Sequence, residues 1–288
     1  MPGSVPSWVM PGFVVGTLLL LSLIESRRPL RQRREPRGRR FARNLTVAGL
    51  GFAVIQLLQT PLVVPVSKWA IEKKLGALSF LGASGPVRLI AAVLLLDYTL
   101  WIWHWLNHRV RFLWRFHSVH HVDRDMDAST GVRFHFGELG LSVGFRALQI
   151  VVLGVDPFSV WVWQLLLFGS VIFHHSNTRL PIRLERVLVR FIVTPRMHGI
   201  HHSDFEEETN SNWSSLFSVW DYLHGTTRLD IPQQVVEIGV GGYQDPWRVT
   251  LGKILVMPFR RRRDDWLGRH RRPFLSSDGT SGRSSLSE

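Results

Sequence analysis

Three long apolar runs near the start of the chain constrain its fold more than any other feature. They cover Trp8 to Ile24, about Asn44 to Val66, and Val87 to about Leu106, and they are nearly free of charged side chains. About 20 consecutive apolar residues in a helix cross the hydrocarbon core of a bilayer. A helix also satisfies its own backbone hydrogen bonds there. The runs therefore predict membrane-spanning helices and an all-α fold.

Two shorter apolar runs follow, from Leu139 to Gly154 and from Pro157 to Phe173. Each is marginal in length for crossing the hydrocarbon core on its own. Only Val155 and Asp156 separate them. We therefore predict a helical hairpin that enters the membrane and returns to the side from which it started.

The charge of the chain, +13 from 35 basic and 22 acidic residues, sits in blocks beside the apolar runs. These blocks are Arg27 to Arg40, Arg109 to Arg115 and Arg260 to Arg263. This pattern is typical of membrane topology and not of a nucleic-acid surface. A cleaved signal peptide would carry its positive charge before the apolar run, so the first run is interpreted as an anchor with a cytoplasmic exit.

Histidine is the residue type in this composition that points to a specific chemistry. The chain has no cysteine, which excludes disulfides, iron–sulfur clusters, thiolate-ligated haem and cysteine nucleophiles. It has thirteen histidines, and twelve of them lie between His104 and His224. If the first basic block is cytoplasmic, every histidine group falls on the cytoplasmic side. We expect an integral, multi-pass helical bundle with a cytoplasmic histidine-rich cap.

The histidines recur at spacings that place them on shared helical faces. The strings are H-W-L-N-H at His104, H-S-V-H-H at His117 and H-G-I-H-H at His198, with the pair His174 and His175 between the last two. Residues three and four apart lie on one face of a helix, whereas adjacent residues diverge by about 100°. The alternative is a set of polar caps and exposed helices at the membrane surface. The repetition favours metal binding.

The number of imidazoles narrows the kind of metal site. A structural zinc ion takes four ligands and a hydrolytic zinc ion takes three, so nine or ten imidazoles exceed either. A pair of redox-active ions accommodates them. The Glu-x-x-His repeats of carboxylate-rich bundles and the H-E-x-x-H string of metalloproteases are both absent from the chain.

Together these strings resemble the fatty acid hydroxylase superfamily, in its sterol desaturase-like branch. The resemblance covers about Val87 to Thr227. It extends beyond the histidine boxes to Asp97-Tyr98, L-W-R-F-H-S-V-H-H from Leu113, V-R-F-H from Val132 with Glu138, H-S-N from His175, T-P-R-M-H-G-I-H-H-S from Thr194 and W-D-Y-L-H-G-T from Trp220.

The resemblance implies metal ligation by eight histidines: His104, His108, His117, His120, His121, His198, His201 and His202. His174, His175 and His135 compete for the remaining positions, and His135 is also a candidate for a supporting role. Relatives with a spaced pair would place one ligand at Ser170, which cannot replace an imidazole. We interpret His224 as structural, since the branch usually has an aromatic residue there.

Three carboxylates are candidates to orient the ligands from behind. Asp97 lies seven residues before His104, on nearly the same helical face, and Glu138 and Asp221 are similar candidates. The alternative for each is an ordinary carboxylate at a helix end or facing solvent.

The resemblance implies an enzyme that uses two iron ions, O2 and external electrons to hydroxylate or desaturate a lipid. Sterol-like, fatty acyl, carotenoid and ether lipids all remain open as substrates. No glycine fingerprint for a nucleotide cofactor is visible, so the electrons are expected from a separate electron-transfer protein and its reductase. The alternatives are a zinc-dependent membrane lipid hydrolase and a metal transporter. A transporter would need ionisable residues in the spans, which are nearly free of them.

This interpretation divides the chain into three parts. Residues 1–86 hold the anchor helices and the basic loop, and residues 87–258 hold the diiron domain. Residues 259–288 are basic and then rich in serine and glycine, which predicts a disordered tail.

The topology can be tested with reporter fusions after Gly82 and after Ser211. We expect opposite signals, because the second run should exit the cytoplasm and the third should return to it. Fusions after Ser211 should report a cytoplasmic location. Identical signals at the two positions would contradict the topology.

Overall fold

The computed structural model describes residues 6–260, and its regular elements over that range are helices. The predicted all-α fold is confirmed, although the cytoplasmic location of the cap stays a prediction. The predicted tail from 261 onward lies outside the described residues. The α-helices in chain order are α1 Val9–Arg27, α2 Arg37–Glu72, α3 Ala77–Phe80, α4 Gly85–Arg109, α5 Arg111–His121, α6 Phe136–Leu153, α7 Pro157–His175, α8 Ile182–Leu188, α9 Pro195–His201, α10 Glu206–Thr209, α11 Val219–His224 and α12 Leu251–Val256.

Five helical segments are long and apolar enough to cross a membrane, and they coincide with the five predicted runs. They are α1, α2 with the short α3 after it, α4, α6 and α7. Their windows are mostly exposed, with 17% to 33% of each buried inside the molecule. Long, apolar and exposed helices need a lipid environment. The chain is a multi-pass membrane protein.

Helix α2 is longer than its apolar run. It begins at Arg37 instead of near Asn44, and it continues through Pro61 and Pro65 to Glu72. Proline removes a backbone donor, but membrane helices tolerate it where neighbouring groups satisfy the freed carbonyls. The two prolines therefore lie inside the helix and do not mark its end.

The predicted hairpin is formed by α6 and α7, and it extends over the full depth of the bundle. Its arms of 18 and 19 residues are about 27 and 29 Å long at 1.5 Å per residue. At its tip, Arg88 from the start of α4 donates to the carbonyl of Gly154 at 2.6 Å. Ser67 from late in α2 donates to the carbonyl of Val155 at 2.5 Å. The tip thus lies at the bundle end where α4 begins.

Gly154 is required at that tip for two reasons. Its φ is +70°, in the left-handed region that favours glycine. A Cβ at this position would also collide with the carbonyl oxygen of Leu75, in the segment after α2. Asp156 then caps α7 by accepting from the backbone N–H of Ser159 at 2.9 Å.

At the opposite end of the bundle, a buried ion network ties α2 to the segment after α5. Asp123 is fully buried, and it accepts from Arg40 at 3.2 Å, Asn44 at 2.9 Å and Thr130 at 3.0 Å. Arg133, also fully buried, pairs with it at 2.9 Å. Burial alone would raise the pKa of Asp123, but the surrounding arginines lower that pKa to about 2. The carboxylate is therefore ionised, and its ion pairs and hydrogen bonds hold the segment after α5 against α2.

Replacing Asp123 with alanine should destabilise the protein by about 3–5 kcal/mol, because buried Arg133 loses its counter-charge and buried Arg40 keeps only Asp127. Unfolding of the full chain in detergent, followed by circular dichroism, measures this. Asp230→Ala is the matched control. Its side chain is 64% exposed and its pair with Arg228 is a surface one, so the change should cost less than about 1 kcal/mol. Equal effects of the two substitutions would contradict the assigned role of Asp123.

Candidate metal centre

Four helix ends carry the histidine strings to one place in the bundle. His104 and His108 lie in the last two turns of α4, and α5 ends at His121. Helix α7 ends at His175, and His198 and His201 lie on the short α9. Thr194 caps α9 by accepting from the N–H of Met197, and Pro195 occupies its first position. The strings that are separated in sequence are thus neighbours in space.

Nine of the histidines form two groups within which the ligand nitrogens lie no more than 4.8 Å apart. The first group, site A, comprises His104, His108, His117, His121 and His201. The second group, site B, comprises His120, His175, His198 and His202.

The adjacent histidines of each H-x-x-H-H string divide between the two sites. His121 belongs to site A and His120 to site B, while His201 belongs to site A and His202 to site B. Neighbouring side chains on a helix diverge by about 100°, so one string can serve two sites. The sites adjoin each other, since the rings of His121 and His202 are stacked with centroids 4.3 Å apart.

Backbone carbonyls fix the orientation of four imidazoles through their Nδ1 atoms. His104 contacts the carbonyl of Trp213, His201 that of Ser211 and His175 that of Val171, each at 2.7 Å. His120 contacts the carbonyl of Arg133 at 3.3 Å. A carbonyl oxygen can only accept, so each Nδ1 carries the proton. In the neutral ring, the lone pair then lies on Nε2.

These Nε2 atoms converge on one another. In site B, the Nε2 of His175 lies 3.0 Å from that of His120, 3.0 Å from that of His198 and 3.2 Å from that of His202. His175 and His120 both donate through Nδ1, so their facing Nε2 atoms bring two lone pairs together. Such an arrangement is repulsive unless a cation lies among the nitrogens. The donor set of site B therefore fits a metal ion.

Burial keeps the imidazoles in the neutral form that a metal requires. Loss of solvent lowers the pKa of His121 and His202 well below the ordinary value of 6.5, and the neighbouring histidines lower it further. For His201 the pKa falls to about 3. Neutral nitrogen donors of this kind suit iron, zinc, copper or nickel.

Two of the predicted ligand candidates lie outside both sites. His174 is buried beside site B, with its ring centroid 4.1 Å from that of His198. His135 uses both of its ring nitrogens elsewhere. Its Nδ1 accepts from the N–H of Gly137 at 3.0 Å and its Nε2 donates to the carbonyl of Leu255 at 3.1 Å. His135 thus caps α6, and of the three competing histidines only His175 is in a group.

The three candidate carboxylates have different surroundings. Glu138 contacts the Nδ1 of His117 at 2.8 Å, which is the supporting contact expected of it. Asp221 accepts from the N–H groups of Trp213 and Ser214 at 3.0 and 2.9 Å. It therefore positions the carbonyl that His104 contacts. Asp97 accepts from the N–H of Phe217 and the indole of Trp220, and so it holds the same loop.

The backbone carbonyls that orient the imidazoles could not be identified from the sequence. Those of Val171, Ser211 and Trp213 become neighbours of the histidines through chain folding, and any residue type can offer a carbonyl. Trp213 has a further contact, because the guanidinium of Arg109 lies 5.5 Å from its ring centroid. The sequence held one signal for this loop, the W-D pair that begins at Trp220. Its Asp221 accepts a hydrogen bond from the backbone of the loop.

The chain is similar in sequence to known lipid- and sterol-modifying proteins. Residues 89–226 match the family model described as "Fatty acid hydroxylase". The chain is 28% identical over 179 residues to the ornithine lipid hydroxylase OlsE of Rhizobium tropici, covering 61% of this chain and 51% of that protein. It is 31% identical over 156 residues to a cholesterol 25-hydroxylase-like protein of Danio rerio, covering 51% of this chain and 60% of that protein.

A methylsterol monooxygenase of Arabidopsis thaliana is 24% identical over 153 residues, covering 49% of this chain and 48% of that protein. The matched region spans about half the length of most of these curated relatives. No solved structure matches the chain. The matched segment contains every histidine of sites A and B.

The division into two sites predicts how metal is lost. We expect about two ions per wild-type chain and about one in His120→Ala or His201→Ala, since each change opens a different site. Elemental analysis of purified protein, with circular dichroism to verify folding, measures this. His224→Phe is the control. That histidine stacks on Trp101 outside the groups, so its replacement should keep full metal content. Wild-type metal content in either alanine variant would contradict the assignment.

Proposed function

Because residues 89–226 belong to the fatty acid hydroxylase family, in its sterol desaturase-like branch, we propose that the chain is a membrane-bound diiron oxidoreductase acting on a lipid. The family and its relatives support a lipid-modifying enzyme. The use of O2, the two iron ions and the external electrons are parts of this proposal. So are the metal ligands, which we assign as the nine histidines of sites A and B.

The observation that carries the proposal is the crowding of imidazole Nε2 atoms in two adjoining groups. Nine imidazole donors exceed the three or four that a zinc ion takes, and they are divided as two neighbouring ions would require. When bound, two iron ions would supply the redox chemistry that activates oxygen. A single hydrolytic zinc ion would leave one of the two groups unexplained.

The protein's own contribution is to hold the donors rigidly and to exclude water. Four imidazoles are fixed by backbone carbonyls and a fifth by Glu138, so the ligands need no rearrangement to bind metal. Burial also removes bulk water, which would otherwise quench a reactive oxidant.

The position of the centre suits an apolar substrate. His104 and His175 lie near the ends of helices long enough to span the membrane. The sites therefore lie where those helices meet the cap. We infer that a lipid reaches the sites from the bilayer side. We propose that the substrate is a membrane lipid and that the sites lie on the cytoplasmic side, where a separate electron carrier and reductase can reach them.

In hydroxylation, one oxygen atom of O2 replaces hydrogen on carbon as a hydroxyl group, and the other leaves as water, with two electrons and two protons supplied from outside. Desaturation uses the same inputs but removes two hydrogens and returns both oxygen atoms as water. The two outcomes share the initial removal of a hydrogen from carbon.

Full-length protein, loaded anaerobically with ferrous iron, tests the proposal. With a reductant, a carrier and candidate lipids, we expect oxygen consumption matched by lipid oxidation, and no turnover when oxygen is removed. Isotopically labelled oxygen gas separates the outcomes. Label in the product shows hydroxylation, whereas loss of two hydrogens without label shows desaturation. Glu138→Gln should lower metal affinity or activity by about 10–100-fold, since the contact to His117 is weakened.

One variant serves as the control for this experiment. His224→Phe should retain wild-type activity, because its ring lies outside both histidine groups. Oxygen-independent turnover of a lipid ester or phosphate would show that the metals perform hydrolysis, and the oxidase proposal would then be wrong.

A further inference from the structure

Arg146 is a buried charge inside a membrane-spanning helix. It lies ten residues after the start of α6 and seven before its end, and it is 9% exposed. Arginine is rare at such depth, and it usually pairs with a carboxylate, faces water or marks a substrate path. In residues 6–260, no carboxylate forms an ion pair with it. Its charge is therefore not neutralised by the described protein.

The contacts of Arg146 stabilise a cation without compensating its charge. Its guanidinium carbon lies 4.0 Å from the ring centroid of Trp163 on α7, a cation–π contact. Its Nη1 donates to the side-chain oxygen of Gln149 at 2.6 Å. A guanidinium group has five N–H donors, and this is its one side-chain hydrogen bond in the described part of the chain.

The polar side chains around Arg146 carry no negative charge. The amide nitrogen of Gln149 donates to the hydroxyl of Thr99 at 2.5 Å, and that hydroxyl donates to the carbonyl of Leu95 at 2.7 Å. The indole N–H of Trp163 is fully buried and has no hydrogen-bond partner within residues 6–260. The cluster formed by Arg146, Gln149, Thr99 and Trp163 therefore has neutral acceptors, the side-chain oxygens of Gln149 and Thr99, but no negatively charged one.

This polar cluster lies beneath the histidine centre. Thr99 precedes His104 by five residues on α4, or about 7.5 Å at 1.5 Å per residue. Arg146 follows Glu138, which contacts His117, by eight residues on α6, or about 12 Å. Helices α4, α6 and α7 thus hold a cation at a distance from the metal ligands that a short lipid spans.

We propose that Arg146 binds the carboxylate end of an amphipathic lipid acid and so holds a distal carbon of that lipid near the histidine centre. This inference rests on the proposed function, because it assigns the class of substrate to that same site. The lipid lies with its polar end deep in the bundle and its reacting carbon toward the metals.

A carboxylate is favoured over a phosphate by the depth of Arg146. A phosphate headgroup would bring its charge from the membrane surface to the middle of a span. A carboxylic acid can enter in its neutral form and lose its proton on meeting the guanidinium group, so the lipid anion itself does not cross the hydrocarbon. The released proton then leaves to solvent, and the resulting pair carries no net charge.

Equilibrium binding to the full-length, metal-loaded protein in detergent tests this, without oxygen or reductant. Labelled oleic acid is the probe, and unlabelled oleic acid, methyl oleate and a lysophosphatidic acid are the competitors. We expect oleic acid to bind at least about tenfold more tightly than methyl oleate, since the ester cannot form the charge-assisted pair. In Arg146→Met, oleic acid should bind at least about tenfold more weakly and the preference should vanish.

Two further variants separate binding from folding. Arg146→Lys keeps the charge and should keep a preference for the acid. Gln56→Met is the matched control, because Gln56 is a polar residue within a span but exposed on α2, and it should bind as wild type does. If Arg146→Met does not fold, the wild-type preference and the lysine variant still decide the question.

Equal binding of acid and ester by wild type would overturn the inference, as would an unchanged preference in Arg146→Met. Tighter binding of the lysophosphatidic acid would overturn the choice of carboxylate. Because binding is measured without oxygen, the result is independent of the proposed oxidation. Selective binding without turnover of the acid would leave the Arg146 site standing and would count against the proposed function.

Discussion

The hydrogen bonds that turn imidazole Nδ1 atoms outward are the interaction on which the centre depends. Each bond to a carbonyl or to Glu138 fixes the position of the ring proton and leaves the Nε2 lone pair directed inward. Without these contacts, neutral rings so close together could rotate and donate to one another. The protein therefore favours a geometry that only a cation satisfies.

Three buried carboxylates hold the segments around this centre in place. Asp123 joins the segment after α5 to α2 through buried arginines. Asp221 holds the loop that offers the Trp213 carbonyl, and Asp97 contacts the same loop through Phe217. These carboxylates are buried, and they contact hydrogen-bond donors rather than the histidines of sites A and B. Their role explains why acidic residues surround a centre whose donors are imidazoles, since buried carboxylates persist when they are paired and hydrogen-bonded.

The bilayer shapes the rest of the molecule. The exposed faces of the spans are apolar because lipid surrounds them, whereas buried polar groups gather at the histidine end and around Arg146. A polar cluster at mid-span is costly unless it has a function. Helices α4 and α7 carry residues of both clusters, and α6 carries Arg146 together with Glu138, which contacts His117, so one scaffold sets the distance between the clusters. Rigid helices suit that purpose better than loops.

The sequence by itself determined the helical class, the five spans and the histidine strings. Hydrophobic length and residue spacing are local properties, and local properties survive without knowledge of tertiary contacts. It placed the end of α2 too early, because a proline is a local signal that membrane packing can override. Only the tertiary structure decided which histidines share a site. It places His120 and His121 in different groups, makes His135 a helix cap, and puts His175 in a group and His174 outside both. Those choices depend on where four helix ends meet and on which carbonyls face each ring. Such contacts join residues far apart in the chain, and no spacing records them.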